Sequence, residues 1–393
     1  MRPTFSKSYS RRTFLGKTSA AAFAFTFLPS RVWGANERLR FASIGVWGQQ
    51  GFYDVDHVGN LGDVVALCDC DDSVLNWKLS KYRDACPFSD FRRMFEEMTG
   101  KIDAVTISTP DHNHALAAAL AMKRGIHVYV QKPLAHDMWE TRWLRDLARQ
   151  HKIVTQMGIQ GTADNTLRRG VETIRAGTIG TVREFHVWTD RPTWPQSPSV
   201  IARPIYTPPA PATLHWEEFI GTAPMRPYHP AYHPFAWRGW RDFGTGALGD
   251  IGCHAANLAF MALRLEHPTT ICAESETPNP ETYPGWATVH YEFPARGEMP
   301  AVKMIWYEGK LPSGEKNLPP LDFFHGEKPT PTGALIIGDQ GVLYQASQFG
   351  EHWVLLPGDR FAGYKDPAPT PLPLVCPLGS PFDNVQRFVL SEK

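Results

Sequence analysis

The chain has 393 residues, of which 42% are hydrophobic and 20% charged, and this ordinary globular composition argues against disorder. Lys plus Arg and Asp plus Glu number 40 each, so the formal net charge is zero, and no basic stripe of the kind that nucleic-acid-binding proteins carry runs along the chain. At this length we expect about two domains and a sizeable core.

The N-terminus predicts an export signal. Ser10–Lys17 (SRRTFLGK) has the twin-arginine pattern, and the uncharged run Thr18–Ser30 is too short to span a bilayer of about 30 Å. We therefore predict a signal peptide over 1–35, read by the twin-arginine export machinery, and a periplasmic protein with no stable membrane anchor. One alternative is a basic, floppy N-terminus without an export role, and another is an uncleaved signal that acts as a tether. This route carries folded proteins, often with a cofactor bound, so the six Cys need not form disulfides.

From Leu39 onward, short apolar runs alternate with helical stretches. Such alternation predicts a parallel, doubly wound α/β sheet. The predicted strands are Leu39–Ile44, Val64–Cys68, Ile102–Ser108 and His127–Val130. One predicted helix begins near Phe52. The others cover Phe91–Met98, Ala115–Arg124 and Met138–His151.

A glycine turn, GVWGQQG, directly follows the first strand. Dinucleotide folds use G-x-G-x-x-G for a tight turn, close approach to the pyrophosphate and helix packing, whereas this turn has Trp47 in place of the second glycine. Asp69 ends the second strand, where a carboxylate holds a ribose diol and repels a 2′-phosphate, which favours NAD over NADP. The alternative for Asp69 is a helix N-cap. From this region we assign Gly45, Trp47, Gly48, Gly51 and Asp69 to the cofactor.

Two further polar segments follow predicted strands, at the sheet edge where open α/β folds bind ligands. The first is Ser108–His114 (STPDHNH), from which Thr109, Pro110 and His114 join the predicted cofactor site. Its two histidines lack a third ligand cluster, so we expect no metal there.

The second polar segment is Gln131-Lys132-Pro133. A lysine at the mouth of a parallel sheet suits proton chemistry or substrate orientation, and we place both Gln131 and Lys132 near the cofactor. The alternative is an ordinary surface lysine.

Asp250 and His254 are four residues apart in Leu248–Leu263, an apolar-patterned segment that predicts a helix. This spacing puts both side chains on one helix face. A carboxylate there can fix the imidazole tautomer and stabilise its protonated form, which would give a proton acceptor tuned near neutral pH. The alternative is a helix-start Asp and a core His.

An aromatic and polar loop precedes that helix. Its aromatic side chains can stack on pyranose faces while polar tips reach hydroxyl groups, and Pro230 and Pro234 exclude a regular helix that would pair its histidines on a metal. Structural packing of the loop is the alternative. The predicted substrate-binding residues are Tyr228, His229, Tyr232, His233, Trp237 and Arg238.

In this order, the motifs resemble those of the Gfo/Idh/MocA family from about Leu39 to the end of the chain. The resemblance rests on the glycine turn, Ser108–His114, Val128–Leu134 (VYVQKPL) and Gly246–His254 (GALGDIGCH). It implies a Rossmann NAD(P)-binding domain over 36–157 and, over 158–393, an α/β substrate and oligomerisation domain with a large, open, mostly antiparallel sheet. Period-two runs agree with such a sheet; they are Val182–Trp188, Ala287–Phe293 and Val302–Tyr307.

The chain departs from the family pattern at two places. The family usually has Glu-Lys-Pro where this chain has Gln131-Lys132-Pro133, and Asn where Ile159 stands. An exported bacterial subgroup is similar in its Gln-Lys-Pro motif and in the segments Met157–Thr162 and Arg226–Trp240. Asp383–Leu390 looks like the start of a helix, and since family members commonly run on further, we hold open an incomplete C-terminus.

The resemblance implies an exported NAD(P)-dependent oxidoreductase, a homo-oligomer that transfers a hydride between a bound nicotinamide cofactor and a secondary hydroxyl of a sugar, polyol or glycoside. In this hypothesis His254 accepts the proton, Asp250 orients it and Lys132 polarises the reacting oxygen. One alternative is an NAD-dependent glycosidase that uses transient oxidation and elimination. Another is a catalytically silent sugar-binding protein, which the departures at Trp47, Gln131 and Ile159 would support.

Overall fold

The computed structural model describes residues 38–48, 50–367, 385 and 388. The predicted signal over 1–35 lies outside these residues, as does most of the predicted helix start Asp383–Leu390. The described residues from Leu39 onward belong to one compact unit. Within the described ranges, no helix has the length and apolar character needed to cross a membrane.

A six-stranded parallel sheet forms the first half of the molecule. Its strands are β1 (Arg40–Ile44), β2 (Asp63–Cys68), β3 (Cys86–Phe88), β4 (Ala104–Ile107), β5 (His127–Gln131) and β6 (Thr155–Gly158). They lie in the order β3-β2-β1-β4-β5-β6, with every neighbouring pair parallel. This is the doubly wound order of a dinucleotide-binding fold, so the predicted fold of this half is confirmed.

Five helices connect the parallel strands. They are α1 (Gly51–Leu61), α2 (Asp72–Leu79), α3 (Phe91–Glu97), α4 (Asp111–Met122) and α5 (Met138–His151). Helix α4 begins at Asp111, four residues before the predicted start at Ala115, because Pro110 has the φ of −57° that suits a helix start and the polar residues that follow it are buried with partners.

A seven-stranded sheet forms the second half. Its strands are β7 (Val182–Thr189), β8 (Thr270–Ser275), β9 (Trp286–Phe293), β10 (Val302–Gly309), β11 (Thr332–Gly338), β12 (Gly341–Gln345) and β13 (Trp353–Leu356). They lie in the order β13-β12-β11-β7-β10-β9-β8, in which β7 and β10 are parallel and the other pairs antiparallel. The predicted large, mostly antiparallel sheet is therefore confirmed.

Helices cover one face of this sheet and form the largest core of the described chain. They are α6 (Asn165–Arg175), α8 (Cys253–Ala255) and α9 (Asn257–Leu263), while α7 (Trp216–Ile220) lies elsewhere, in the long connection after β7. Leu167 and Val171 of α6 pack with Phe185 of β7 and Trp306 of β10. The strand residues that enter this core alternate along β9, β10 and β11. Intervening residues of β7, β11 and β12 are buried in a second cluster with Phe324 on the opposite face.

The predicted single helix over Leu248–Leu263 is corrected by the structure. Its first turn, Leu248–Gly252, is a π-helix, and α8 and α9 follow as two short α-helices. A Cβ at Gly249 would overlap the Thr245 side chain, so this wide turn packs as it does only because glycine stands there. Single π-turns inside α-helices are frequent at functional sites.

The connection between β7 and the π turn carries the second half onto the carboxyl edge of the parallel sheet. The backbone of His215 donates to Cys70 at the end of β2, and Asp71 pairs with Leu214 in an isolated bridge. The two halves therefore share one ligand-sized space at that edge.

Candidate active site

A cavity of about 600 Å³ opens at the carboxyl ends of β1, β2, β4 and β5 and reaches the π turn. Fourteen of the eighteen predicted site residues line it. The four that do not are Gly51, His114, His229 and Tyr232. Ligands of open α/β sheets bind at this edge, and the sequence motifs had placed their residues there for that reason.

The glycine turn forms one end of the cavity. Gly45 has a φ of +77°, and a Cβ on it would lie 2.6 Å from the Ser108 carbonyl oxygen, so the turn lies tightly against the end of β4. Gly51 contacts the turn itself, because a Cβ there would overlap the Gly45 carbonyl oxygen. Gln50 provides no side-chain cap for α1. Since the Gln50 side chain leaves the start of α1 uncapped from that position, an anion such as a pyrophosphate fits there.

Asp69 lies beside the turn and accepts a backbone amide through each of its carboxylate oxygens. Its Oδ2 accepts from the Val46 amide at 2.9 Å and its Oδ1 from the Asp71 amide at 3.1 Å. An ionised carboxylate can accept about four hydrogen bonds, so a ribose diol can still bind. Burial raises the pKa of Asp69 to about 6. The N-cap alternative is wrong, since Asp71 caps α2 by accepting from the Ser73 amide.

Gln131 binds a buried carboxylate that the sequence analysis missed. The Gln131 side-chain amide donates to Oδ2 of Asp54 in α1 at 2.8 Å, and the Ser108 hydroxyl donates to the same oxygen at 2.8 Å. Asp54 is 1% exposed, and burial raises its pKa to about 6. Thus a carboxylate lies next to Gln131 where the family motif would carry one at 131 itself. Asp54 occupies a buried position of the α1 pattern together with Val55 and Val58, and an acid on that apolar face was a signal available in the sequence.

His114 has a structural position that differs from the predicted one. Its two ring nitrogens each lie 2.8 Å from a carbonyl oxygen, of Pro133 and of Thr109. The ring therefore ties together the two loops that follow β4 and β5, and it does not line the cavity, whereas Thr109 and Pro110 do.

His112 is likewise buried, and burial lowers its pKa to about 4. Its ring nitrogens lie near the carbonyl oxygens of Phe243 and Phe219, which anchors the connection of the second half on α4. Among the described residues, no cluster of three or more His, Cys, Asp or Glu is arranged to hold a metal ion.

Lys132 and Asp250 form an ion pair in the middle of the cavity. The Lys132 ammonium donates to Oδ1 of Asp250 at 2.7 Å and to its backbone oxygen at 2.8 Å. The Nε of Arg238 lies 3.5 Å from the same Oδ1. Burial acts against ionisation of this carboxyl, but the charges of Lys132 and Arg238 hold the pKa of Asp250 below its usual value. Two of the three ammonium protons are thus engaged, and the third is available to a ligand oxygen.

His254 lines the cavity but is not paired with Asp250, which corrects the predicted arrangement. Its Nδ1 is buried without a hydrogen-bond partner in the described chain, and its ring lies edge-on to Phe349 at 4.7 Å between centroids. Burial and the nearby Lys132 lower the pKa of His254 to about 3. The sequence spacing predicted a proton acceptor with a pKa near neutral pH. That prediction is wrong for the ligand-free protein, because the Asp250 carboxylate in the π turn pairs with Lys132 and not with His254.

Some side chains of the predicted substrate loop form part of the cavity wall, and others pack within the loop itself. Tyr228, His233, Trp237 and Arg238 line the cavity, and the Arg238 guanidinium lies 4.3 Å from the Trp237 ring centroid. Residues that the sequence analysis missed, Trp194 and Phe235 among them, complete this wall.

Two of the predicted substrate residues have other roles in the structure. Tyr232 is 3% exposed and packs on Trp240 at 4.7 Å between centroids. His229 accepts from the Ala231 amide through Nδ1. Both hold the loop in shape, which is the packing alternative that the sequence analysis had left open for the loop.

Two family models match the chain. One describes an oxidoreductase family with an NAD-binding Rossmann fold and matches residues 39–159. The other describes the C-terminal alpha/beta domain of an oxidoreductase family and matches residues 200–299. The first match spans all six strands of the parallel sheet, and the second spans most of the connection after β7 together with β8 and β9 of the seven-stranded sheet.

A curated relative is the levoglucosan dehydrogenase of Pseudarthrobacter phenanthrenivorans, which is 25% identical over 172 residues. The match covers 44% of this chain and 35% of that enzyme, so the chain matches about a third of the relative's length.

Solved structures share the fold. An inositol dehydrogenase homolog from Azotobacter vinelandii complexed with NAD+ gives a TM-score of 0.59 at 17% identity, over 90% of this chain and 86% of that one. The WlbA dehydrogenase from Bordetella pertussis, in complex with NADH and UDP-GlcNAcA, gives 0.55 at 15% identity, over 90% of this chain and 94% of that one. At these identities the likeness establishes the fold alone.

Proposed function

From the premise that the chain belongs to the Gfo/Idh/MocA family of oxidoreductases, whose NAD-binding and C-terminal domains it carries in order, we propose that it transfers a hydride between NAD and a secondary hydroxyl of a sugar, polyol or glycoside. The observation that carries the proposal is the single cavity that joins the glycine turn and Asp69 to Lys132, Asp250 and His254. Residues suited to a dinucleotide and residues suited to proton transfer thus line the same cavity.

The residues at the dinucleotide end fit NAD. The start of α1, which the Gln50 side chain does not cap, and the tight turn at Gly45 suit a pyrophosphate, and the Asp69 carboxylate suits a ribose diol. An ionised Asp69 would repel a 2′-phosphate, which favours NAD over NADP. When bound, NAD+ supplies the hydride acceptor.

At the other end, the chain's own groups handle the hydroxyl proton. With NAD+ bound as the hydride acceptor, the imidazole of His254 would take the O–H proton as the secondary hydroxyl becomes a carbonyl. The free ammonium proton of Lys132 donates to the reacting oxygen and steadies the charge that develops on it. Asp250 holds Lys132 in place through its carboxylate and its backbone oxygen.

His254 is in the acceptor form throughout the physiological range, since burial keeps its imidazole neutral. A substrate hydroxyl would bring a polar partner to a ring that now has an unpaired nitrogen. General-base catalysis contributes about 10²–10⁴ in rate and is most effective when the pKa of the base lies near the operating pH, so the lowered pKa of His254 places its contribution toward the lower end of that range.

The substrate class rests on the aromatic wall of the cavity. Trp194, Phe235 and Trp237 offer ring surfaces, while Tyr228 and Arg238 offer polar tips beside them. Pyranose rings present apolar C–H faces edged by hydroxyl groups, and this mixture of side chains matches both features.

We also retain export to the periplasm and assembly into homo-oligomers as part of the proposal. Export is supported by the twin-arginine pattern SRRTFLGK, and a folded protein with its dinucleotide already bound would suit that route.

The experiment starts with absorbance and mass spectra of the purified, undenatured protein, which detect a retained dinucleotide. Sugars, polyols and glycosides are then offered with NAD+ while reduced nicotinamide and released aglycone are both measured. Net reduced nicotinamide supports the proposed dehydrogenase. Aglycone released without net reduction would instead identify the redox-neutral glycosidase, and sugar binding without any dinucleotide binding would identify a silent binding protein.

A further inference from the structure

Trp47 is a large apolar side chain held half in water at the mouth of the cavity. It stands in the glycine turn between Gly45 and Gly48, whose φ angles are +77° and +76°. Trp47 is 49% exposed and also lines the cavity. An indole left half exposed forgoes part of the free energy that burial would give it.

Two aromatic rings support Trp47 from behind. Its ring lies edge-to-face with Trp77 of α2 at 5.1 Å and with Phe52 of α1 at 5.9 Å between centroids. The Lys78 ammonium lies 4.1 Å from the Phe52 ring centroid on the other side. These contacts fix the indole at the rim without burying it, which leaves ring surface for a ligand.

The position of Trp47 along the cavity indicates which part of a ligand it meets. The neighbouring Val46 amide donates to Asp69, and the cavity wall continues from Trp47 to Asp69, Asp71 and Val74. Because Asp69 and the turn are suited to a ribose diol and a pyrophosphate, this end takes the adenosine diphosphate half of a dinucleotide. The proton-handling residues Lys132 and His254 belong to the other half of the cavity.

We propose that Trp47 covers the adenosine diphosphate half of the bound dinucleotide and slows its release. The inference rests on the proposed dinucleotide-dependent function. This role explains why a tryptophan occupies the position where a dinucleotide motif would have a glycine. The indole prevents the closest approach of the backbone to the pyrophosphate, but it forms an aromatic wall over the ligand.

The test uses the full chain with Trp47→Gly, Trp47→Ala and Trp47→Phe. Release of NADH is followed by its own fluorescence during a chase with excess NAD+, and the affinity for ADP-ribose, which lacks nicotinamide, is measured by calorimetry. We expect the Gly and Ala variants to release NADH at least about 10-fold faster and to bind ADP-ribose more weakly by a similar factor. The Phe variant, which keeps an aromatic face, should fall between them and the wild type.

Trp139→Ala is the matched control. Trp139 is 66% exposed, stacks on Trp143 and does not line the cavity. It should leave NADH release and ADP-ribose affinity unchanged, and thermal unfolding of every variant checks that the fold is kept.

Wild-type release rates in both Trp47→Gly and Trp47→Ala would overturn the inference while leaving the proposed function standing. Faster NADH release with unchanged ADP-ribose affinity would overturn the assignment of Trp47 to the adenosine diphosphate half. A wild-type protein that binds neither NADH nor ADP-ribose would refute the proposed function itself, and this inference with it.

Discussion

Lys132 Nζ lies 2.7 Å from Asp250 Oδ1, and this pair joins the carboxyl end of β5 to the π turn of the second half. The sequence spacing predicted that the Asp250 carboxylate pairs with His254, but it pairs with Lys132. Asp250 and Lys132 act as one unit, and His254 works beside them with a neutral ring.

Asp250→Asn should slow turnover about 10- to 100-fold, because a hydrogen bond between charged groups is worth about 1.5–3 kcal/mol and its loss leaves Lys132 misplaced. Since Asp250 acts through Lys132, adding Asp250→Asn to Lys132→Met should cost little more than Lys132→Met alone. Steady-state rates of the four proteins in this double-mutant cycle measure the coupling. Additive losses would show that Asp250 acts on something other than Lys132.

Asp69→Ala should weaken NAD binding by roughly 1–3 kcal/mol, the usual cost of losing hydrogen bonds to a charged group. The wild type should prefer NAD over NADP, and the variant should lose much of that preference because the repelling charge is gone. Calorimetric titration of both proteins with both dinucleotides gives the comparison. Equal wild-type affinity for NAD and NADP would refute the assignment of Asp69 to the ribose.

Asp54→Asn should change how stability depends on pH. Burial raises the folded-state pKa of Asp54 from 3.8 to about 6, so the native state favours the protonated form. The stability that this group contributes is present below about pH 4 and is lost as pH rises toward 6. Between those two pH values, the free energy of unfolding of the wild type should fall by on the order of 3 kcal/mol. The free energy of unfolding of the variant should not show this fall. Denaturant unfolding at several pH values measures this difference, and parallel pH curves for the two proteins would show that Asp54 is ionised at no such cost.

Replacing both Arg11 and Arg12 by Lys should leave folded protein in the cytoplasm, because the proposed export route reads the arginine pair. Cell fractionation of a producing bacterium, with dinucleotide binding as the check on folding, makes the comparison. Normal arrival of the double variant in the periplasm would show that the protein reaches it by another route.

Sequence motifs located most of the cavity because the carboxyl ends of parallel strands meet at one edge of a sheet. The glycine turn, Asp69, Pro110 and Lys132 each follow a strand, and each therefore lies on the cavity. Periodicity likewise indicated the mostly antiparallel second sheet, since the side chains that enter its core from β9 and β10 alternate along those strands.

The ion pair between Asp250 and Lys132 could not be predicted from the spacing of residues in the sequence. It depends on a π turn that glycines permit and on a lysine 118 residues away in the chain. The missed Asp54 is a different case. Its acid falls on the apolar face of α1, and a partner for such a group has to be sought across the sheet rather than along the helix.

The most direct test of the central claim compares His254→Ala and Lys132→Met with the wild type, on the substrate that the screen identifies and across pH. If His254 takes the hydroxyl proton, His254→Ala should lower turnover by about 10²–10⁴ with NADH affinity nearly intact. Because burial holds the pKa of His254 at about 3, wild-type kcat/KM should show no inflection from this group near neutral pH. Lys132→Met should also slow turnover, through loss of the donor to the reacting oxygen. Full activity in both variants would contradict the account and place the reaction elsewhere in the molecule.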